Sequence, residues 1–254
     1  MSKEHIFYNA LSIISESNYS LLSALKKHFG SFEKAIEVTS EIFQTAGKVL
    51  PATLDNASLK IEYEDGTTKI GEKYLDEILT KVKRISFEEK NIRGYEKAVN
   101  EIGEADLIIV GPGSLYGSLI CNLLIREIKQ AIVANKKAVK LFVMNCSTER
   151  TQTRNYSVGD HLDAIRDHVG IELFDYCLVN SNVLRRSRDE SKLGEVNNIT
   201  TNEKIIDGVK IIRADIISRK NPLYHDPEKL AKEIIELYNK YKSQTKDESR
   251  RTNN

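Results

Sequence analysis

The stretch Ala105-Asp106-Leu107-Ile108-Ile109-Val110-Gly111-Pro112-Gly113-Ser114-Leu115-Tyr116 decides the fold. Its apolar run from Leu107 to Val110 carries no polar face, as expected of a strand in a parallel sheet covered on both sides. The run stops at a glycine-proline-glycine turn, and Ser114 follows as a hydroxyl able to cap the next helix. Outward from it, similar runs at 106–110, 140–144, 174–179 and 209–213 alternate with amphipathic stretches at 118–134, 159–168 and 227–241. Such alternation predicts an α/β fold, a Rossmann-like and mostly parallel sheet covered by helices.

The residues before this core read differently. Over 1–46 the apolar positions recur at helical spacing, with a break at Gly30-Ser31, so an N-terminal helical segment is expected. Over 47–90 the pattern turns to alternation. Ile61 and Tyr63 precede Asp65-Gly66 and Ile70 follows, which predicts a β-hairpin insertion, with a further strand at 81–87 and a charged helix ending near Gly103. The all-polar stretch 243–254 is expected to be disordered, leaving a single domain over 1–242 whose α/β core occupies 91–242.

Charge and composition exclude several classes. With 38 Lys+Arg against 37 Asp+Glu, no basic excess exists to hold nucleic acid through phosphate neutralisation. No run of about 18 apolar residues could span a bilayer. The N-terminus lacks the apolar core of a secretory signal, so a cytoplasmic protein is expected. Cys121, Cys146 and Cys177 lack the close pairing of a zinc or redox motif and read as reduced and structural.

In open parallel sheets ligands bind beyond the carboxyl ends of the strands. There the turn at Gly111, Gly113 and Ser114 could offer backbone N–H groups to a phosphate, backed by a helix dipole. The same glycines serve equally well in a bare strand-to-helix connection. Asn145 ends the next strand, and the loop after it carries Arg150, Arg154 and Tyr156, able to grip a diphosphate or to stack on a base or sugar, although exposed loop arginines are more often simply solvated. Asp160 and His161 open the following helix, where Asp160 can simply complement the dipole. Asn180, Asp215 and His225-Asp226-Pro227 are expected to cap turns and the last helix. The cluster Leu184-Arg185-Arg186-Ser187-Arg188 reads as a solvated loop.

Taken in order, these segments resemble the CofD-like family, which joins 2-phospho-L-lactate transferases of deazaflavin coenzyme synthesis to bacterial gluconeogenesis factors (YvcK-like proteins). The resemblance rests on 47–54 with the acidic hairpin, on 105–124, on Asn155-Tyr156-Ser157-Val158-Gly159-Asp160-His161, on 175–180, on Arg213-Ala214-Asp215 and on 225–231. It is closer to the gluconeogenesis-factor branch. It implies a nucleotide diphosphate ligand at the crest of the sheet, a UDP-sugar in that branch, and Mg²⁺ where a member acts as a transferase. It also implies that Gly111, Gly113, Ser114 and Tyr116 lie on the ligand side, that Asn122 and Asn145 face the same crest, and that Tyr156 matches a tyrosine associated with UDP-sugar binding.

Measured against that family, the chain starts after an opening strand and two glycine-rich loops that help hold nucleotide and metal. The segment Ile14-Ser15-Glu16-Ser17-Asn18-Tyr19 stands where a Gly-His-x-x-Gly-Asn motif would fall, and Cys121 stands where a proline is expected. The expectation is therefore a nucleotide-sugar-binding regulatory protein. The alternatives are a transferase or an inactive subunit, its sheet edge completed by a second copy or a complementing N-terminal chain. No turnover is expected of this chain alone, and no cofactor or metal ligand is assigned.

Overall fold

The computed structural model describes residues 6–7, 16–183 and 196–251. The basic cluster at 184–188, together with Ile14 and Ser15 of the diverged motif, lies outside them. In chain order the elements are β1 (Ile6–Phe7), α1 (Glu16–Phe29), α2 (Phe32–Ile42), β2 (Leu59–Tyr63), β3 (Thr68–Ile70), α3 (Tyr74–Glu77), β4 (Val82–Phe87), α4 (Glu96–Glu104) and β5 (Leu107–Val110). A π-helical turn (Leu115–Ile120) follows, then α5 (Cys121–Leu123), α6 (Arg126–Ala134), β6 (Val139–Val143), α7 (Val158–Val169), β7 (Tyr176–Asn180), β8 (Ile205–Ile206), β9 (Val209–Ala214) and α8 (Pro227–Arg251).

The main sheet has the order β1-β5-β6-β7-β9-β8; its first five strands are parallel and β8 is an antiparallel edge. Successive side chains on a strand face opposite sides. Ile108, Phe142, Cys177 and Val179 accordingly pack on one face with Ile128 and Ile132 of α6 and Leu162 and Ile165 of α7. Leu107, Ile109, Leu141, Val143 and Leu178 pack on the other, where Ile234 of α8 joins them and Leu230, Leu237 and Tyr238 pack at the margin. Because β5, β6 and β7 lie side by side in chain order, right-handed crossovers put α6 and α7 on the same face.

Local chemistry sets the boundaries. Gly30 ends the first helix at φ +67°, and Ser31 caps α2 by accepting from the Lys34 N–H at 3.2 Å. The predicted hairpin forms at Asp65-Gly66: Asp65 accepts from the Thr67 N–H at 2.8 Å, and Gly66 takes φ +84°. β4 joins β2 on the other side to complete a three-stranded antiparallel sheet, β3-β2-β4. Asp226 caps α8 through the N–H groups of Glu228 and Lys229, with Pro227 first in the helix.

Three expectations need correction. Ile6–Phe7 form a strand rather than helix, because the outer edge of β5 presents unpaired backbone groups that two β-forming residues can satisfy. The helix expected over 118–134 is divided into the π turn, α5 and α6. Inside it the Asn122 amide donates to the Ser118 carbonyl at 2.7 Å and the Cys121 thiol to the Gly117 carbonyl at 2.7 Å, bonds that compete with the regular ladder, and Ile125 is extended. The polar tail, expected to be disordered, continues α8 to Arg251. Its polarity suggested disorder, but Lys, Gln, Glu and Arg are good helix formers and neither glycine nor proline interrupts 228–251.

Among the described residues no helix is long and apolar enough to cross a membrane. All three cysteines are unpaired, and burial pushes their thiols up to about 12, so none is poised as a nucleophile.

Candidate functional site at the crest of the sheet

The β5 strand turns at Gly111 with φ +89°, so close to β6 that a Cβ there would lie 2.5 Å from the Val143 carbonyl oxygen. Only glycine fits both constraints. Two residues on, Asn145 at the end of β6 reads Gly113 as a base reads its partner. Its Oδ1 accepts from the Gly113 N–H at 3.0 Å and its Nδ2 donates to the Gly113 carbonyl at 2.9 Å. The Asn145 amide is thus occupied in shaping the turn.

Gln152 performs the next task. Its Oε1 accepts from the Ser114 hydroxyl at 2.7 Å and from the Tyr116 N–H at 3.3 Å, while its Nε2 donates to Asp76 of α3 at 3.1 Å. One buried amide therefore ties the β5 turn, the loop after β6 and the antiparallel insertion together. Glu149 lies beside Ser114, and burial together with the nearby Asp76 charge raises its carboxyl to about 7. Its Oε2 is buried with no partner.

Tyr116 is buried under the crest, 2% exposed, and its hydroxyl pairs with that of Tyr156 at 2.9 Å. Tyr156 is half-buried, with the His161 ring edge-on at 5.5 Å and the Lys81 ammonium 5.4 Å from its ring centroid. His161 donates from Nδ1 to the Ser157 carbonyl at 2.7 Å; burial holds it below its ordinary pKa, and Nε2 has no partner. His168 packs edge-on against Tyr116 at 5.7 Å and accepts at Nε2 from the Ile85 N–H of β4 at 3.0 Å. That bond fixes the antiparallel sheet to α7.

The structure thus brings Gly111, Gly113, Ser114, Asn145, Tyr116 and Tyr156 into one neighbourhood. Asp160 is exposed nearby and forms a capping box with Ser157, which lowers its carboxyl pKa by hydrogen bonding. Asn122 bonds back into its own helix. Asn180 accepts from the N–H groups of Asn182 and Ile216, and Asp215 pairs with Lys229 at 3.0 Å, so both shape the chain locally. His225 donates from Nε2 to the Met144 carbonyl at 3.0 Å, just past the end of β6. Arg150 and Arg154 are exposed, whereas the buried members of their loop are Gln152 and Thr153.

Sequence reasoning missed Gln152, Asp76, Glu149 and Lys81. Gln152 lies between Arg150 and Arg154 in the loop after β6, where an uncharged amide gives no signal; Asp76 and Lys81 come from the insertion, and no spacing rule connects it to this loop. For the Mg²⁺ implied for transferases there is no ready-made protein cluster: among the described residues no group of three His, Cys, Asp or Glu side chains could hold a metal ion.

These features define a Rossmann-like α/β protein whose loops converge over the carboxyl ends of β5 and β6. The chain belongs to the CofD family, whose model, described as 2-phospho-L-lactate transferase CofD, matches residues 16–217. It is 37% identical over 223 residues to a protein of Clostridium acetobutylicum provisionally named a gluconeogenesis factor, covering 85% of this chain and 49% of that one. It is 32% identical to the gluconeogenesis factor of Bacillus subtilis, covering 85% and 67% of the two chains. The chain therefore spans about half the length of the first relative and two thirds of the second. The crystal structure of a UPF0052 family member from Bacillus halodurans superposes with a TM-score of 0.76 at 30% identity, covering 87% of this chain and 72% of that one.

Proposed function

We propose that this chain binds a nucleotide diphosphate sugar, a UDP-sugar, at the crest and acts as a regulatory binding protein of the gluconeogenesis-factor kind. The observation that carries this reading is the presentation of Tyr156. Its ring is half-buried beside the 111–114 turn, and Tyr116 holds its hydroxyl from below. A tyrosine fixed in this way offers a flat apolar surface to a base or sugar at little entropic cost. Gly111, Gly113 and Ser114 form the floor beside it, Asn145 and Tyr116 act as supports, and Asn122 and Asp160 stand at the margin of the proposed site.

The relatives named as gluconeogenesis factors support a regulatory role; the CofD description supports a transferase as the second reading. A transferase must neutralise phosphate charge during transfer, and the crest offers no cluster of metal ligands among the described residues. A thermal-shift titration with UDP-N-acetylglucosamine and UDP-glucose separates the readings: ligand at a hundred times its Kd adds about 2.7 kcal/mol of stability. A shift abolished by Tyr156→Ala supports the binding protein. No shift with either UDP-sugar, or a shift indifferent to Tyr156, contradicts it.

A further inference from the structure

We infer that the antiparallel insertion forms a working wall of the ligand site, and that Lys81, at the entry to β4, is the cation that meets the ligand's diphosphate beside Tyr156. The inference rests on the nucleotide-sugar reading above and names a binding residue for it.

A diphosphate needs positive charge or free N–H donors, and the β5 turn carries no charged side chain and has part of its donor set already used. Pro112 has no N–H, the Gly113 N–H is occupied by Asn145 and the Tyr116 N–H by Gln152. The helical segment that follows is short, a π-helical turn at Leu115–Ile120 continued only by α5, and lends a limited dipole. The neighbouring side chains add negative charge, from Glu64, Asp76 and Asp160, with Glu149 joining them once it ionises. An anionic ligand placed here requires a side-chain cation.

Lys81 is positioned for that role. Its carbonyl accepts from the Glu64 N–H at 3.0 Å, which ties its backbone to the end of β2, and His168 pins β4 to α7 four residues later. From this anchored base the side chain crosses to the main domain, with Nζ 5.4 Å from the Tyr156 ring centroid. Its other partner is Glu64, at 3.4 Å, and both side chains are more than half exposed, at 53% and 54%. Ion pairs so exposed contribute little to stability. Exchanging Glu64 for a doubly charged diphosphate therefore sacrifices little, and the ammonium need only rotate about its own stem. The aromatic contact keeps the cation beside the ring that holds the rest of the ligand.

The test is titration calorimetry of the full chain with UDP-N-acetylglucosamine at 0.05 M and 0.5 M salt, for the wild type, Lys81→Met, Lys81→Arg and Glu64→Gln. Lys81→Met keeps the apolar stem over Tyr156 and removes only the charge. It should weaken binding about 10-fold at low salt, with the gap narrowing at high salt as screening grows. Lys81→Arg should stay within about 3-fold of wild type, and Glu64→Gln, which frees the lysine, should bind about 2- to 3-fold more tightly. A Lys81→Met affinity within 2-fold of wild type, or a loss unchanged by salt, overturns the inference while leaving the nucleotide-sugar reading standing. Wild-type protein that binds no UDP-sugar overturns both.

Discussion

Asn145 shows how one side chain can shape the turn at the crest. Its amide satisfies both backbone groups of Gly113, so Asn145→Ala leaves a donor and an acceptor without partners in a half-buried turn. The expected cost is about 1–3 kcal/mol, read by urea denaturation, together with weaker UDP-sugar binding as the turn loosens. Asn145 was legible in the sequence as a polar group at the end of a strand. Its partner was not, because the register of two strands decides what an amide meets. Gly111→Ala should be more damaging, since it combines a left-handed φ with a Cβ 2.5 Å from the Val143 carbonyl oxygen; a fall in soluble yield and thermal midpoint would check it.

Glu149 and the histidines give stability opposing dependences on pH. His161, His168 and His225 are held by burial below the ordinary value of 6.5, so the unfolded chain takes protons first as pH falls below that value, and stability is lost. Glu149 is raised from 4.5 to about 7, so the folded chain takes its proton first, and stability is gained as pH falls from 7 towards 4.5. Glu149→Gln removes only the second contribution. Thermal midpoints should show the variant more stable than wild type at pH 8, with the difference shrinking by pH 5; a constant difference across that range would contradict this assignment.

At the scale of elements, the antiparallel sheet is held to the α/β core by particular bonds rather than by its hairpin alone. Gln152 joins it to the β5 turn through Asp76, and His168 joins it to α7 through the Ile85 N–H. Gln152→Leu strands the Ser114 hydroxyl, the Tyr116 N–H and Asp76 together, so a loss of about 1–3 kcal/mol is expected by denaturant titration. On the opposite face of the main sheet, Ile234 of α8 is buried against the strands. Ile234→Ala should cost about 2–5 kcal/mol in the same measurement. The strands and most helices were legible because apolar runs and amphipathic spacing report burial directly. The division of 118–134 was not, because side chains bonding back to their own backbone leave the apolar periodicity intact.

At the scale of the whole molecule, the four core strands, the hairpin and the last helix follow from the sequence pattern. The Rossmann-like crest follows from where its glycines and amides end those strands. The parts that escaped reading depend on distance along the chain. Lys81 lies 75 residues from Tyr156 by number, and only the docking of β4 onto α7 brings them together. Identity with gluconeogenesis factors at 32–37% and the match to the CofD family agree with this architecture.

The most direct measurement is calorimetric titration of the chain with UDP-N-acetylglucosamine, beside the Tyr156→Ala variant. Saturable heat with one site per chain, lost in the variant while its thermal midpoint is retained, is the predicted result. No binding by the wild-type chain, or equal affinity in the variant, would contradict a UDP-sugar site built around Tyr156.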